Sequence, residues 1–76
     1  MAQPRRFGRR LRYLRQQLGL SQEQVAERLG VSSETISNLE RGVHAPVFDR
    51  LEALAIALEV APQALFLDGP EQESPE

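Results

Sequence analysis

Residues Leu20–Gly42, LSQEQVAERLGVSSETISNLERG, constrain the fold of this chain more than any other stretch. They read as two short helices whose starts and stops are both spelled out. Ser21 can cap the first, and Gln24, three positions on, completes a Ser-x-x-Gln capping box. Val25, Ala26 and Leu29 fall on one face of that helix. Gly30 offers the left-handed backbone that ends a helix, Val31 turns inward, and Ser32 can cap a second helix with Ile36 and Leu39 as its buried stripe. Only about three residues separate the two, so they must cross at a steep angle, as in a helix-turn-helix.

Helical periodicity extends on both sides of this motif. It predicts an all-α, compact five-helix domain over residues 5–67: Arg5–Leu18, Gln22–Leu29, Ser33–Arg41, Phe48–Leu58 and Pro62–Leu67. Pro62 suits a first helical position. Residues 1–4 read as a loose arm, and 68–76 (DGPEQESPE) have the composition of a disordered acidic tail. At about 100° per residue, Phe7, Leu11, Leu14 and Leu18 form one stripe of the first helix, opposite Arg5, Arg9 and Arg12. Arg10 lies on its flank, and Arg15 borders the apolar stripe, where it would be half buried and in want of an acid. In the fourth helix Phe48, Leu51, Leu54, Ala55 and Leu58 share a stripe from which Ile56 projects away. The last helix carries three adjacent apolar residues, Leu65, Phe66 and Leu67, which cannot all face one core.

The Leu20–Gly42 stretch resembles the Cro and phage-repressor type (XRE) helix-turn-helix regulators, whose pattern LSQEELAxxLGVSxxTISxxExG it matches almost position for position. The likeness continues through Phe7–Leu18 and through Ala45–Leu67. It implies a lambda-repressor-like domain that binds double-stranded DNA sequence-specifically and regulates transcription, by family habit as a repressor. It further implies a homodimer on a near-palindromic operator, with dimer contacts around Ile56, Leu65, Phe66 and Leu67. An arginine late in the first helix pairs in this family with a glutamate late in the third, at positions that match Arg15 and Glu40; the pair is read as structural.

With Ile36 and Leu39 turned to the core, the third helix presents Ser33, Glu34, Ser37, Asn38 and Arg41 outward. Short polar side chains suit a major groove about 12 Å wide. Asn38 can bond adenine bidentately, Ser33 and Ser37 can meet any base, and Glu34 can accept from cytosine N4. Other readings stay open: Glu34 also complements the helix dipole, and Ser37 and Asn38 also keep an exposed face soluble. Gln22, first in its helix, matches a family position that touches a phosphate or braces the recognition helix. Arg10 and Arg41 are further backbone candidates, or else solvated surface charges. Two departures from the family stand out: the loop Gly42–Pro46 carries only His44 where relatives often have Lys or Arg, and Val47 takes the usual Ser or Thr cap position. Together with Glu34 they predict a modest DNA affinity that falls steeply with salt.

The net charge of −2 hides a polarity along the chain. Residues 1–20 carry six arginines and no acid, whereas residues 51–76 carry six acids and no base. All nine basic residues are arginine, which suits bidentate phosphate contacts; a GC-rich genome would favour arginine codons equally. Without cysteine there is no disulfide framework or thiolate metal site. No apolar run approaches a membrane span, and no signal-peptide region opens the chain, so a soluble cytoplasmic protein is expected, and the family resemblance implies a bacterial or phage type. One histidine, no glycine-rich phosphate loop and no paired metal ligands leave no constellation for catalysis; no enzyme activity, cofactor or metal is expected. The competing function is a protein-interaction module, such as the antitoxin of a toxin–antitoxin pair, using the acidic C-terminal half.

Overall fold

A computed structural model of the chain describes residues 4–43 and 48–66. Among the described residues four α-helices, α1 (Pro4–Gln17), α2 (Gln22–Leu29), α3 (Ser33–Glu40) and α4 (Phe48–Ala57), are followed by a 3-10 segment, Pro62–Phe66. The expected fifth helix is thus corrected to five residues of 3-10 structure, which start from an Ala64 N–H bond to the Ala61 carbonyl at 2.9 Å. Pro4, expected in a loose arm, already belongs to α1. The remaining arm residues, the loop His44–Val47 and the expected acidic tail lie outside the described residues.

The α2–α3 motif forms because its ends are satisfied locally. Ser21 Oγ accepts from the Gln24 amide at 3.0 Å while Gln24 Oε1 accepts from the Ser21 amide at 2.8 Å, a complete capping box. Ser32 Oγ accepts from the Thr35 amide at 3.3 Å to open α3. Each such cap stabilises its helix by about 1 kcal/mol. All four helices then stop in the same way: the amides of Leu20, Val31, Val43 and Val60 reach back to the carbonyls of Arg15, Ala26, Asn38 and Ala55. The residue before each of these amides is left-handed. Three are glycines (19, 30 and 42), but the fourth is Glu59, at φ 62°.

The core draws Phe7, Leu11 and Leu14 from α1, Val25 and Ala26 from α2, Ile36 and Leu39 from α3, Leu54 and Ala55 from α4, Leu58 from the turn that follows it, and Leu65 from the 3-10 segment. Leu18, expected in this stripe, is 39% exposed, because α1 ends at Gln17 and the chain turns before Leu18 can follow the helical face. α2 packs against α3 and α4, α1 against α3, and the 3-10 segment against α1 and α4. Gly8 sets how close α1 comes to α3: a Cβ there would stand 2.5 Å from the Leu39 and Glu40 carbonyl oxygens. Among the described residues no helix is long and apolar enough to cross a membrane.

Candidate nucleic-acid interface

Burial of Ile36 and Leu39 fixes the rotation of α3 about its axis and leaves the opposite face outward. Glu34 and Arg41 are exposed there, and Ser33, Ser37 and Asn38 are half-buried. Ser32 Oγ, the cap, also lies 3.1 Å from Thr35 Oγ1, so the helix start that leads this face is held by two side-chain contacts. Arg41 caps the far end of α3, and its Nη1 donates to Asn38 Oδ1 at 3.4 Å. This long, exposed bond leaves the Asn38 amide nitrogen without an assigned acceptor in α3 and able to donate outward. The face therefore offers hydroxyls, an amide and one carboxylate along a single helix flank.

Behind this face α1, α2 and α3 are joined at one carboxylate. Arg15 Nε donates to Glu40 Oε2 at 2.6 Å and Arg15 Nη2 to Glu40 Oε1 at 3.0 Å, a bidentate pair with side chains only 12% and 4% exposed. Arg15 Nη1 donates to the Leu20 carbonyl at 2.8 Å, which ties the α1–α2 turn to the same group. Gln22 Nε2 completes the cluster by donating to Glu40 Oε1 at 3.0 Å. Gln22 is thus held against α3 at the first residue of α2, where the opening amides of that helix have no intrahelical partner. Gln22 therefore braces α3 through a side-chain bond to the carboxylate that Arg15 pairs with.

Two of the site residues expected from sequence are placed elsewhere. Arg10, expected on the DNA backbone, is 8% exposed and belongs to the interior. Its Nε donates to the Ala64 carbonyl at 2.7 Å and its guanidinium lies 5.3 Å from the centre of the Tyr13 ring. Helical projection correctly sets Arg10 on the flank of α1, but the 3-10 segment returns over that flank and covers it. Leu65, expected at a dimer interface, is fully buried in the core. In a 3-10 turn with successive side chains about 120° apart, only one of three adjacent residues need face out, and here Leu65 faces in. Phe66 is 46% exposed with its ring 5.8 Å from that of Phe7, Ile56 is 74% exposed, and Leu67 lies outside the described residues.

Three features escaped the sequence reading. Gly8 carries a signal, since a glycine inside an amphipathic helix costs about 1 kcal/mol and implies a close approach. Arg28 does not: its Nη1 donates to the Ala57 carbonyl at 2.8 Å and to Glu59 Oε2 at 3.2 Å, contacts that only the α2–α4 packing creates. Glu59 in the left-handed region has no sequence signature either.

Residues 6–66 match the helix-turn-helix domain family. The restriction-modification controller protein C.AhdI from Aeromonas hydrophila is 39% identical, with a TM-score of 0.79 over 82% of this chain and 90% of that one. The P22 c2 repressor in complex with a synthetic operator is 35% identical, with a TM-score of 0.73 over 79% of this chain and 91% of the repressor chain. An HTH-type transcriptional regulator of Mycobacterium tuberculosis, itself uncharacterized, is 39% identical over 57 residues. Those residues are 75% of this chain but 41% of the mycobacterial protein, so the chain spans about two-fifths of that relative's length. The capped α2–α3 pair and the fold around it define a helix-turn-helix domain of the kind found in DNA-binding transcription regulators. The chain belongs to that family, in its Cro and phage-repressor branch.

Proposed function

We propose that the chain binds double-stranded DNA sequence-specifically, as a homodimer in the cytoplasm, and represses transcription from a near-palindromic operator. The observation that carries this reading is the outward flank of α3, with Ser33, Glu34, Ser37 and Asn38 set beside the α2 start at Gln22. α3 enters the major groove, Ser33 and Asn38 read base edges, and Glu34 and Ser37 tune the choice. The α2 amides and Gln22 meet a phosphate, and Arg41 meets another. Two copies place their α3 helices one turn apart, about 34 Å. The operator-bound repressor among the similar structures supports the DNA partner.

The test is selection of bound duplexes from a random pool at moderate salt, followed by stoichiometry on the enriched sequence. The expected result is an enriched near-palindrome holding two chains. Binding that is indifferent to sequence and vanishes with salt would overturn the reading. A protein-interaction module, such as an antitoxin, is the second reading and rests on the exposure of Ile56. It predicts that Ser33→Ala and Asn38→Ala leave activity untouched while Ile56→Asp abolishes it.

A further inference from the structure

The arginines of α1 are not all answered. Arg15 has Glu40, but Arg5, Arg9 and Arg12 are exposed and bond nothing among the described residues. Spaced by four and three positions, they form one row along the helix. Arg10 is the sharper case, because it is buried at 8% exposure. Its Nε has the Ala64 carbonyl and its guanidinium the Tyr13 ring, while Nη1 is closed off from solvent with no hydrogen-bond partner. A carbonyl and a ring face leave the charge itself without a counterion, and no carboxylate among the described residues pairs with Arg10. A buried cation in that position calls for an acid.

The chain supplies acids at this same place. Ala64 is held by Arg10, and two residues later the Phe66 ring lies 5.8 Å from Phe7 of α1. Residues 67–76, LDGPEQESPE, therefore start at the surface of α1, and they carry Asp68, Glu71, Glu73 and Glu76 with no base. We propose that this segment docks on α1 of its own chain, with the Asp68 carboxylate on Arg10 and the glutamates along the row of Arg5, Arg9 and Arg12. Reach permits it: a chain extends by up to about 3.3–3.6 Å per residue, and a 14-residue helix is only about 21 Å long. Chemistry favours it, since the arginine fork takes carboxylates bidentately. Tethering favours it too, because a short linked segment meets its site at an effective concentration of about millimolar. Elsewhere the charge is already matched: Arg28 is bonded to Glu59, and the α3 face sets Glu34 against Arg41. The docked segment withholds the α1 arginines from indiscriminate contact with phosphate. The inference stands apart from the operator reading, since it concerns α1 and not the α3 face.

The chain has no cysteine, so Ser74→Cys gives a single point for a nitroxide label on the otherwise intact full chain. Paramagnetic broadening of backbone amides then maps where the segment lies. The comparison is the same labelled chain with Asp68→Asn, Glu71→Gln, Glu73→Gln and Glu76→Gln, which keeps the tether and removes the charge. The expected result is broadening along Arg5–Arg12 that is lost in the neutral variant and weakened at about 1 M salt, where charges act over only about 3 Å. Asp68→Asn alone is expected to move the Arg10 Nε–H resonance and speed its exchange with water. Random-sequence duplex in excess, used as a polyanion, is expected to release the label from α1. Equal broadening with and without the acids would overturn the docking, because tethering alone would then account for it. An Arg10 resonance indifferent to Asp68→Asn would overturn that pairing. Broadening seen only when labelled and isotope-enriched chains are mixed would place the segment on another copy and overturn docking within one chain. Broadening of α1 that persists with duplex bound would overturn the competition with phosphate.

Discussion

The C-terminal ends of α2 and α4 carry the same pair of backbone hydrogen bonds but are made from different materials. At α2, Gly30 takes φ 77° at little cost, and the amides of Gly30 and Val31 return to Glu27 and Ala26. At α4, Glu59 takes φ 62°, and the amides of Glu59 and Val60 return to Ile56 and Ala55. A left-handed non-glycine residue costs about 1–2 kcal/mol, so the second stop needs help from outside its own helix. Arg28 offsets part of that cost, bonding the Ala57 carbonyl and the Glu59 carboxylate from α2. The helix that supports the recognition motif therefore also holds α4 in place. The motif is locally encoded; the half that packs behind it is held by contacts between helices.

Substitutions of four kinds test that difference, from the largest effect to the smallest. Removing either partner of the Arg15–Glu40 pair should cost about 3–5 kcal/mol, because it strands a buried charge where α1, α2 and α3 meet. Urea denaturation of Glu40→Ala measures it; a loss under about 1 kcal/mol would mean the three helices do not depend on this group. Gly8→Ala should destabilise by about 1–3 kcal/mol despite alanine's better helix propensity, since the new methyl meets two α3 carbonyls at 2.5 Å. Unchanged or raised stability would show that α1 can back away from α3 freely. The two helix stops should then respond in opposite directions: Gly30→Ala loses about 1 kcal/mol, whereas Glu59→Gly is neutral or gains up to about 1 kcal/mol as backbone strain is relieved. Equal losses at both would remove the contrast. Arg28→Ala should cost no more than about 1 kcal/mol, since its ion pair with Glu59 is exposed, and thermal melts can compare it with wild type.

The boundaries of α2 were legible in the sequence because Ser21, Gln24 and Gly30 act within one helix of each other. α3 was legible for the same reason, with Ser32 opening it and Arg41 proving to be the cap rather than its last helical residue. Arg15 and Glu40 could be brought together by periodicity and the family resemblance, and they are bonded in the structure. Legibility failed wherever a second element decides what covers the first. Arg10 looks like a free flank until the 3-10 segment lies over it, and Leu65 looks surplus until that segment turns it inward. The fifth helix was predicted from Pro62 and three apolar residues, but five residues offer too few i→i−4 bonds to favour α over 3-10 geometry. Glu59 could not be read at all, because what stabilises it comes from Arg28, 31 residues earlier in the chain.

We propose that the outward residues of α3 choose the DNA sequence while the rest of the domain presents them. The most direct measurement is the ratio of affinities for the selected operator and a scrambled duplex of equal length, for wild type and for the Ser33→Ala/Asn38→Ala variant at several salt concentrations. The account predicts that the ratio falls by at least ten-fold, as each base contact is worth about 1–3 kcal/mol. The salt dependence and the melting temperature should stay as in wild type, since neither residue neutralises a phosphate or fills the core. An unchanged ratio, with the variant folded and still bound, would contradict the claim and move sequence choice away from α3.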